Sequence, residues 1–372
     1  MDWLKEIKPK LKDFFDYMQE DDYSFCKYSY SGDLFDKNTG YGLANLVYLT
    51  KSLYISGVLD DLTEDQKENL KSSILKYSRD NSMIHDEVLF PAPTLKNTLT
   101  QCLHAKGKKE KIKSFIRLIT KGVDNTNYNA ICQAETRQSF AALYLLNSKP
   151  KYAYEYIPKT KEELERYLNS LNWSNPWNSY AQFSGLLFFY RMNSELFKDN
   201  YNDLIDYAIL KADSIQSEED GCWYKGCNIS LKQKINGAMK YFTAIHAAGI
   251  YKFNHVEKLV DTVLSGSNSL HACDNFNIVY CLYAAYKVKP EYRKEEVREF
   301  LLNRLTIYKN FYDEKLGAFS FRENGANDTL YGVEVSKGLQ EPDIHGTSLF
   351  VWGLAIMDEM LDLNLGFKVP VN

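Results

Sequence analysis

Two kinds of apolar segment alternate along the chain. Those of the first kind open with polar residues and then run apolar on most sides: YGLANLVYLTKSLY from Tyr41, ETRQSFAALYLL from Glu135, WNSYAQFSGLLFFY from Trp177, NGAMKYFTAIHAAG from Asn236, DNFNIVYCLYAAY from Asp274 and HGTSLFVWGLAIM from His345. Those of the second kind, among them EDQKENLKSSILKYSRD, KEELERYLNSL, VEKLVDTVLSG and EEVREFLLNRLTIYKNF, are amphipathic with a charged face for water. A helix that is apolar nearly all round must be enclosed by other elements, whereas an amphipathic one lies between core and solvent. The pattern therefore predicts inner helices ringed by outer ones, with one helical hairpin per roughly 40 to 60 residues, the mark of a helical repeat array. A weaker pair, PTLKNTLTQCLHAKG and KKEKIKSFIRLITKG, fills the first long gap. An open solenoid would expose one side of the inner helices, so the array is expected to close on itself. The predicted architecture is all-α: an α/α toroid of about six helical hairpins in a single domain spanning 1–372, with polar helix starts gathered at one mouth.

Two stretches are too long for plain turns, DGCWYKGCNISL between Asp220 and Leu231 and LGAFSFRENGANDTLYGVEV between Leu316 and Val335. They read as short strand-like hairpins or loops at that mouth. With 372 residues, 45% of them hydrophobic, the chain can bury a sizeable core. Lys and Arg number 45 against 49 acids, a net charge of −4, and no basic arm is visible, which argues against a nucleic-acid partner. No stretch approaches the ~20 apolar residues of a membrane span, and the opening MDWLKEIKPKLKDFFDYM is interrupted by charges, so a cytoplasmic location is expected. The cysteines (Cys26, Cys102, Cys132, Cys222, Cys227, Cys273 and Cys281) are scattered without CxxC spacing, which fits reduced thiols.

Polar helix starts converging on one cavity would bring together Arg137, Lys240, Asn178, Gln182, Asn236 and Asn277, with Trp177, Trp223, Tyr180 and Tyr241 among them. Arg137, through its bidentate fork, and Lys240, as a point charge, are the candidates for holding a phosphate or carboxylate, helped by backbone N–H groups at the helix N-termini. Asp343 and His345, in EPDIHGTSLF, are the leading acid/base pair, because an imidazole beside a carboxylate can titrate near neutral pH. Glu135 and Asp274 come next. A single polar residue at a helix start is more often a cap than a catalyst, so the reading rests on the whole set. Asp60-Asp61-Leu62-Thr63-Glu64 has the form of a magnesium–diphosphate motif, yet Thr63 followed by acids reads better as an N-cap and first helical turn.

Gln216, Gly221 and Trp223 in SIQSEEDGCW have the form Q-x4-G-x-W, which resembles the QW repeat of the terpenoid cyclases, with YDEKLGAFSF (Gly317, Phe319) a degenerate second copy. ETRQSFAALYLL, with Glu135, Arg137 and Phe140, resembles a helix start of the protein prenyltransferase β-subunits. The resemblance covers most of the chain and implies the toroid more than a chemistry. The Asp-x-Asp-Asp acid of the class II cyclases is missing. The prenyltransferase zinc set is replaced by Asn236-Gly237-Ala238 and Asn277, so no metal is expected there. Asp220-Gly221-Cys222 reads DGC but belongs to the preceding turn, where a structural role is expected. The resemblance implies an enzyme acting on an isoprenoid or prenyl diphosphate inside an aromatic-rich cavity, with magnesium only if the substrate is a diphosphate. Two other readings stay open: a lyase, epimerase or hydrolase acting on a uronic-acid or other polar oligosaccharide, and a non-catalytic binding module.

Overall fold

The computed structural model describes residues 2–104, 107–123, 125–267 and 269–370. Helix α1 (Ile7–Met18) buries Ile7, Leu11, Phe14, Phe15 and Met18, one stripe at helical spacing, and leads into an antiparallel hairpin of β1 (Gln19–Glu20) and β2 (Phe25–Cys26). There follow α2 (Leu43–Ser56), α3 (Glu64–Leu75), α4 (Leu95–His104), α5 (Lys108–Lys121), α6 (Thr126–Leu145), α7 (Lys161–Ser170) and α8 (Pro176–Phe197). Next come α9 (Asn202–Asp213), α10 (Leu231–Ala247), α11 (Val256–Leu264), α12 (Ala272–Val288) and α13 (Lys294–Lys309). Two hairpins, β3 (Tyr312–Asp313) with β4 (Ala318–Phe319) and β5 (Thr329–Leu330) with β6 (Val333–Glu334), precede the last helix, α14 (Ile344–Leu361). The chain is mostly helical, and no helix among the described residues is long and apolar enough to cross a membrane.

The six apolar segments become α2, α6, α8, α10, α12 and α14. Each packs against the next in chain order, and α14 packs back against α2. The amphipathic helices flank them: α3 lies on α2 and α6, α9 on α8, α11 on α12, and α13 on α12 and α14. Burial of the inner helices is nearly complete, as their composition requires. In α10 every residue from Ile235 to Ala247 is buried except Lys240, and in α12 every residue from Ala272 to Ala285 except Cys273. In α2 the partly exposed positions, Ala44, Tyr48, Lys51 and Tyr54, fall on one helical face. Four of these interruptions, Tyr48, Lys51, Lys240 and Cys273, face a central cavity.

Helix starts agree with the sequence pattern where a strong signal exists. Pro176 occupies the first turn of α8, where its missing N–H costs nothing, and the side chain of Thr63 caps α3 in a reciprocal pair with Gln66. Two starts differ. α6 begins at Thr126 and α10 at Leu231, so Glu135, Arg137, Asn236 and Lys240 lie in helix interiors, while the first turns of α8, α12 and α14 reach the same space through Trp177, Cys273 and His345. The reason is that TNYNAICQA and LKQKI are polar but contain no breaker, so the helix starts well before its apolar face does.

The Q-x4-G-x-W element is a tie between outer helices. Gln216 Nε2 donates to the Gly221 carbonyl at 2.9 Å and to that of Asn254, just ahead of α11, at 2.7 Å. Gly221 has φ +70°, and a Cβ there would lie 2.6 Å from the Leu259 nitrogen, so only glycine fits. Around it the first insert forms one isolated bridge, Gln216 to Trp223, instead of a hairpin. The Asp220 carboxylate is taken up by Lys234 (2.6 Å), the Tyr224 hydroxyl (2.8 Å) and the Cys222 N–H (3.0 Å). The second insert does form hairpins. The β5–β6 turn has Tyr331 at φ 48° and Gly332 at φ 86°, the paired left-handed residues of a two-residue turn.

Candidate functional site

At the centre lies a cavity of about 330 Å³ lined by residues from all six inner helices and from the β5–β6 hairpin. Three cations reach it from mid-helix positions: Lys51 of α2, Arg137 of α6 and Lys240 of α10. No carboxylate among the described residues lines it. The walls are aromatic and aliphatic, with Phe188, Phe276, Trp352, Leu349 and Met239, and three amides, Gln138, Asn277 and Asn327, interrupt them.

Two of the cations lie against rings, and among the described residues none is paired with an acid. The Arg137 guanidinium lies 5.6 Å from the centre of Phe188, and Lys51 Nζ lies 4.6 Å from that of Trp352 while donating to Gln138 Oε1 at 3.2 Å. Among the described residues no side-chain hydrogen bond or ion pair reaches the head groups of Arg137 or Lys240. Burial, reinforced by Arg137 and Lys240, brings the Lys51 amine down to about 7. Burial and Arg137 bring Lys240 down to about 8, with Cys273 opposing. Arg137 is lowered by burial to about 10 and stays charged at neutral pH. Three mutually repelling cations in a poorly solvated space are costly unless an anion joins them.

His345 also lines the cavity, stacked on Tyr48 at 4.4 Å and 5°. Its Nδ1 lies 3.2 Å from the Tyr28 hydroxyl, which accepts from Asn327 Nδ2 at 2.7 Å. Where the hydroxyl donates to Nδ1, the imidazole proton sits on Nε2. Burial, then Lys51, His271 and Lys240, push the imidazole down to about 3, so His345 is a neutral hydrogen-bond donor.

Asp343 does not join it as an acid/base partner. It is the N-cap of α14: Oδ1 accepts from the Gly346 N–H at 2.7 Å, and Oδ2 accepts from those of Phe321 (2.7 Å) and Asn327 (3.1 Å), fastening α14 to the hairpin segment. Burial pushes its carboxyl up to about 7 even though these N–H groups favour the ionised form. In Asp343→Asn the amide NH₂ would face backbone donors on one side or the other. The variant is expected to lose about 1–3 kcal/mol of stability, read as a lowered urea midpoint; an unchanged midpoint would show that this clamp carries no weight.

Glu135 is likewise turned away from the cavity. Its Oε2 meets His85 Nδ1 at 2.5 Å and the Asp86 N–H at 3.0 Å, while His85 Nε2 faces the Phe90 carbonyl at 2.8 Å. Burial raises the Glu135 carboxyl, and Cys132 and Glu135 hold the His85 imidazole up at about 10 against its own burial. A ring nitrogen opposite a carbonyl must donate, so this buried pair shares its protons and ties α6 to the loop ahead of α4. Asp274 is buried beside Lys232 (2.8 Å) and His271 (3.4 Å) at the start of α12. Neither carboxylate lines the cavity.

Of the other expected residues, Trp177 and Asn277 line the cavity, and Asn236 stands behind, accepting from Asn277 Nδ2 at 2.7 Å. Asn178 and Gln182 line a different hollow. Trp223, Tyr180 and Tyr241 form a fully buried aromatic cluster, Trp223 stacked on Tyr241 at 4.0 Å and the Tyr241 hydroxyl bonded to Asp213 at 2.5 Å. Sequence reasoning missed Lys51, Tyr48, Phe188, Trp352 and Asn327. Lys51 carried a usable signal, a lone cation inside YGLANLVYLTKSLY. No family model, curated protein or solved structure matches this chain.

Proposed function

We propose that the closed ring of inner helices is an α/α toroid, and that its cavity binds a small amphiphilic anion, best represented by a short prenyl diphosphate. The observation that carries this reading is the convergence of Lys51, Arg137 and Lys240 on one cavity whose described lining contains no carboxylate. Arg137 would take the diphosphate through its fork, with Lys51 and Lys240 as point charges and His345 donating from Nε2. Phe188, Phe276 and Trp352 offer an apolar wall for the chain and faces able to shelter a cationic carbon. Preorganised cations at the diphosphate stabilise the negative charge that develops as it leaves, which suits an enzyme that ionises or transfers the prenyl group. Magnesium would enter with the diphosphate and not on a carboxylate of the described lining. A volume of about 330 Å³ is at the small end of ligand pockets and favours a short chain.

A second reading, an acidic saccharide, draws on Gln138, Asn277 and Asn327, whose amides suit hydroxyl groups, with Arg137 on a uronic carboxylate. Thermal unfolding in the presence of prenyl diphosphates, inorganic pyrophosphate and uronic-acid oligosaccharides separates the two. A ligand at ~100 times its Kd adds ~2.7 kcal/mol. The expected result is a larger upward shift with a prenyl diphosphate than with pyrophosphate. A shift with the uronic acids alone overturns the first reading in favour of the second.

A further inference from the structure

Beside the central cavity lies a larger hollow of about 820 Å³, walled by the first turns of α6, the start of α8, Tyr167 of α7 and the segment Tyr154 to Tyr156. Its chemistry is the opposite of the cavity's. Of the twelve described residues that line it, four are tyrosines, three asparagines and two glutamines, and among the described residues none is Lys, Arg, Asp, Glu or His. In a chain with 25% charged residues, a hollow that is polar yet uncharged is not ordinary solvated surface. Absence of charge disfavours a phosphate or carboxylate ligand, and the density of amides disfavours a hydrocarbon or an apolar helix.

Amides donate and accept at once, as sugar hydroxyls do, and tyrosine rings offer flat apolar faces with a polar edge, matching the C–H face of a pyranose. Asn178 is exposed, and its one side-chain contact, from Gln182 Nε2 at 3.5 Å, lies at the limit of a hydrogen bond, so both amides keep most of their capacity for a ligand. Tyr156 is 55% exposed and edge-on to Tyr154 at 5.6 Å. Gln133 packs against Gly185, where a Cβ would come within 3.2 Å of its carboxamide. The hollow and the cavity are neighbours: Gln133 of the hollow and Arg137 of the cavity stand one turn, ~6 Å, apart on the same face of α6. Trp177 and Asn178 are adjacent on α8 and divide between the two.

We infer that this tyrosine- and amide-lined hollow is a binding site for neutral saccharide units, distinct from the anion cavity and standing whatever that cavity holds. The test is isothermal titration of the full chain with uncharged oligosaccharides of glucose and of N-acetylglucosamine, repeated on Tyr156→Ala, Asn178→Ala and Arg137→Ala. The expected result is saturable binding that weakens at least tenfold in Tyr156→Ala and in Asn178→Ala and is unchanged in Arg137→Ala. Both hollow variants alter exposed side chains, and their unfolding midpoints should match the parent's. Failure of every oligosaccharide to bind overturns the inference, as does binding that survives both hollow substitutions or is lost with Arg137→Ala. Failure of the oligosaccharides to bind leaves the anion-cavity reading as it was, because that reading is tested with diphosphates, whereas binding lost with Arg137→Ala would place the sugar in the cavity itself.

Discussion

Arg137→Ala is expected to weaken binding of a prenyl diphosphate by roughly 30- to 1,000-fold, the equivalent of about 2–4 kcal/mol for a desolvated, charge-assisted bidentate contact. The loss should be large because no side-chain bond within the described protein employs the Arg137 head group, so its hydrogen bonds are available to a ligand. For the same reason the unfolding midpoint should stay level or rise, since the variant removes a charge that burial penalises. Arg137→Lys should recover the charge and only part of the affinity, because the fork is gone. Titration calorimetry decides it: affinity within twofold of the parent's in Arg137→Ala would remove this residue as the anchor.

The second large effect concerns Lys51. Its amine is brought from an ordinary value of 10.5 down to about 7 in the folded protein. The unfolded chain therefore holds more protons between these two values, and stability rises with pH across that window; below about 7 the penalty of the buried charge is present in full. Lys51→Met removes the titrating group and keeps much of the packing on Trp352. The variant should be more stable than the parent by roughly 1–3 kcal/mol at pH 6.5, with the advantage shrinking as pH approaches 10. It should also bind the diphosphate far more weakly. Urea unfolding of both proteins at several pH values gives the difference directly. A difference that does not change with pH would show that the Lys51 amine keeps its proton throughout. In the parent an anion should restore the charge on Lys51 and Lys240, so binding near pH 8.5 should take up protons, visible as a buffer-dependent heat.

The helical class and the alternation of inner with outer helices were legible because the inner helices carry their apolar character on most sides. Thr63 and Pro176 marked their helix starts because local chemistry decides such positions. The site was legible only in part. Arg137 and Lys240 stood out as cations at the edge of apolar runs. Lys51 was passed over although it is the lone cation of its apolar run, because a lysine stem packs readily along an apolar helix and the opposing wall that gives it a role is not local in sequence. Asp343 and His345 misled through adjacency. Neighbours at a helix start point in different directions, one into the backbone as a cap and the other toward the cavity. Glu135 shows the same limit, because its partner His85 belongs to a distant loop that no local pattern reveals.

The packing of α14 against α2 has a consequence for how the chain is made. The contact between Tyr28 and His345 joins residues 317 positions apart, and α14 supplies the last wall of the cavity. Most neighbouring helices can dock as they are synthesised, but this joint forms only after α14 has been made, a high-contact-order step that comes late in folding. Until then Lys51 and its facing cations remain in water at their ordinary basicity. Docking of α14 is thus the event that encloses the cavity and creates its electrostatic tension.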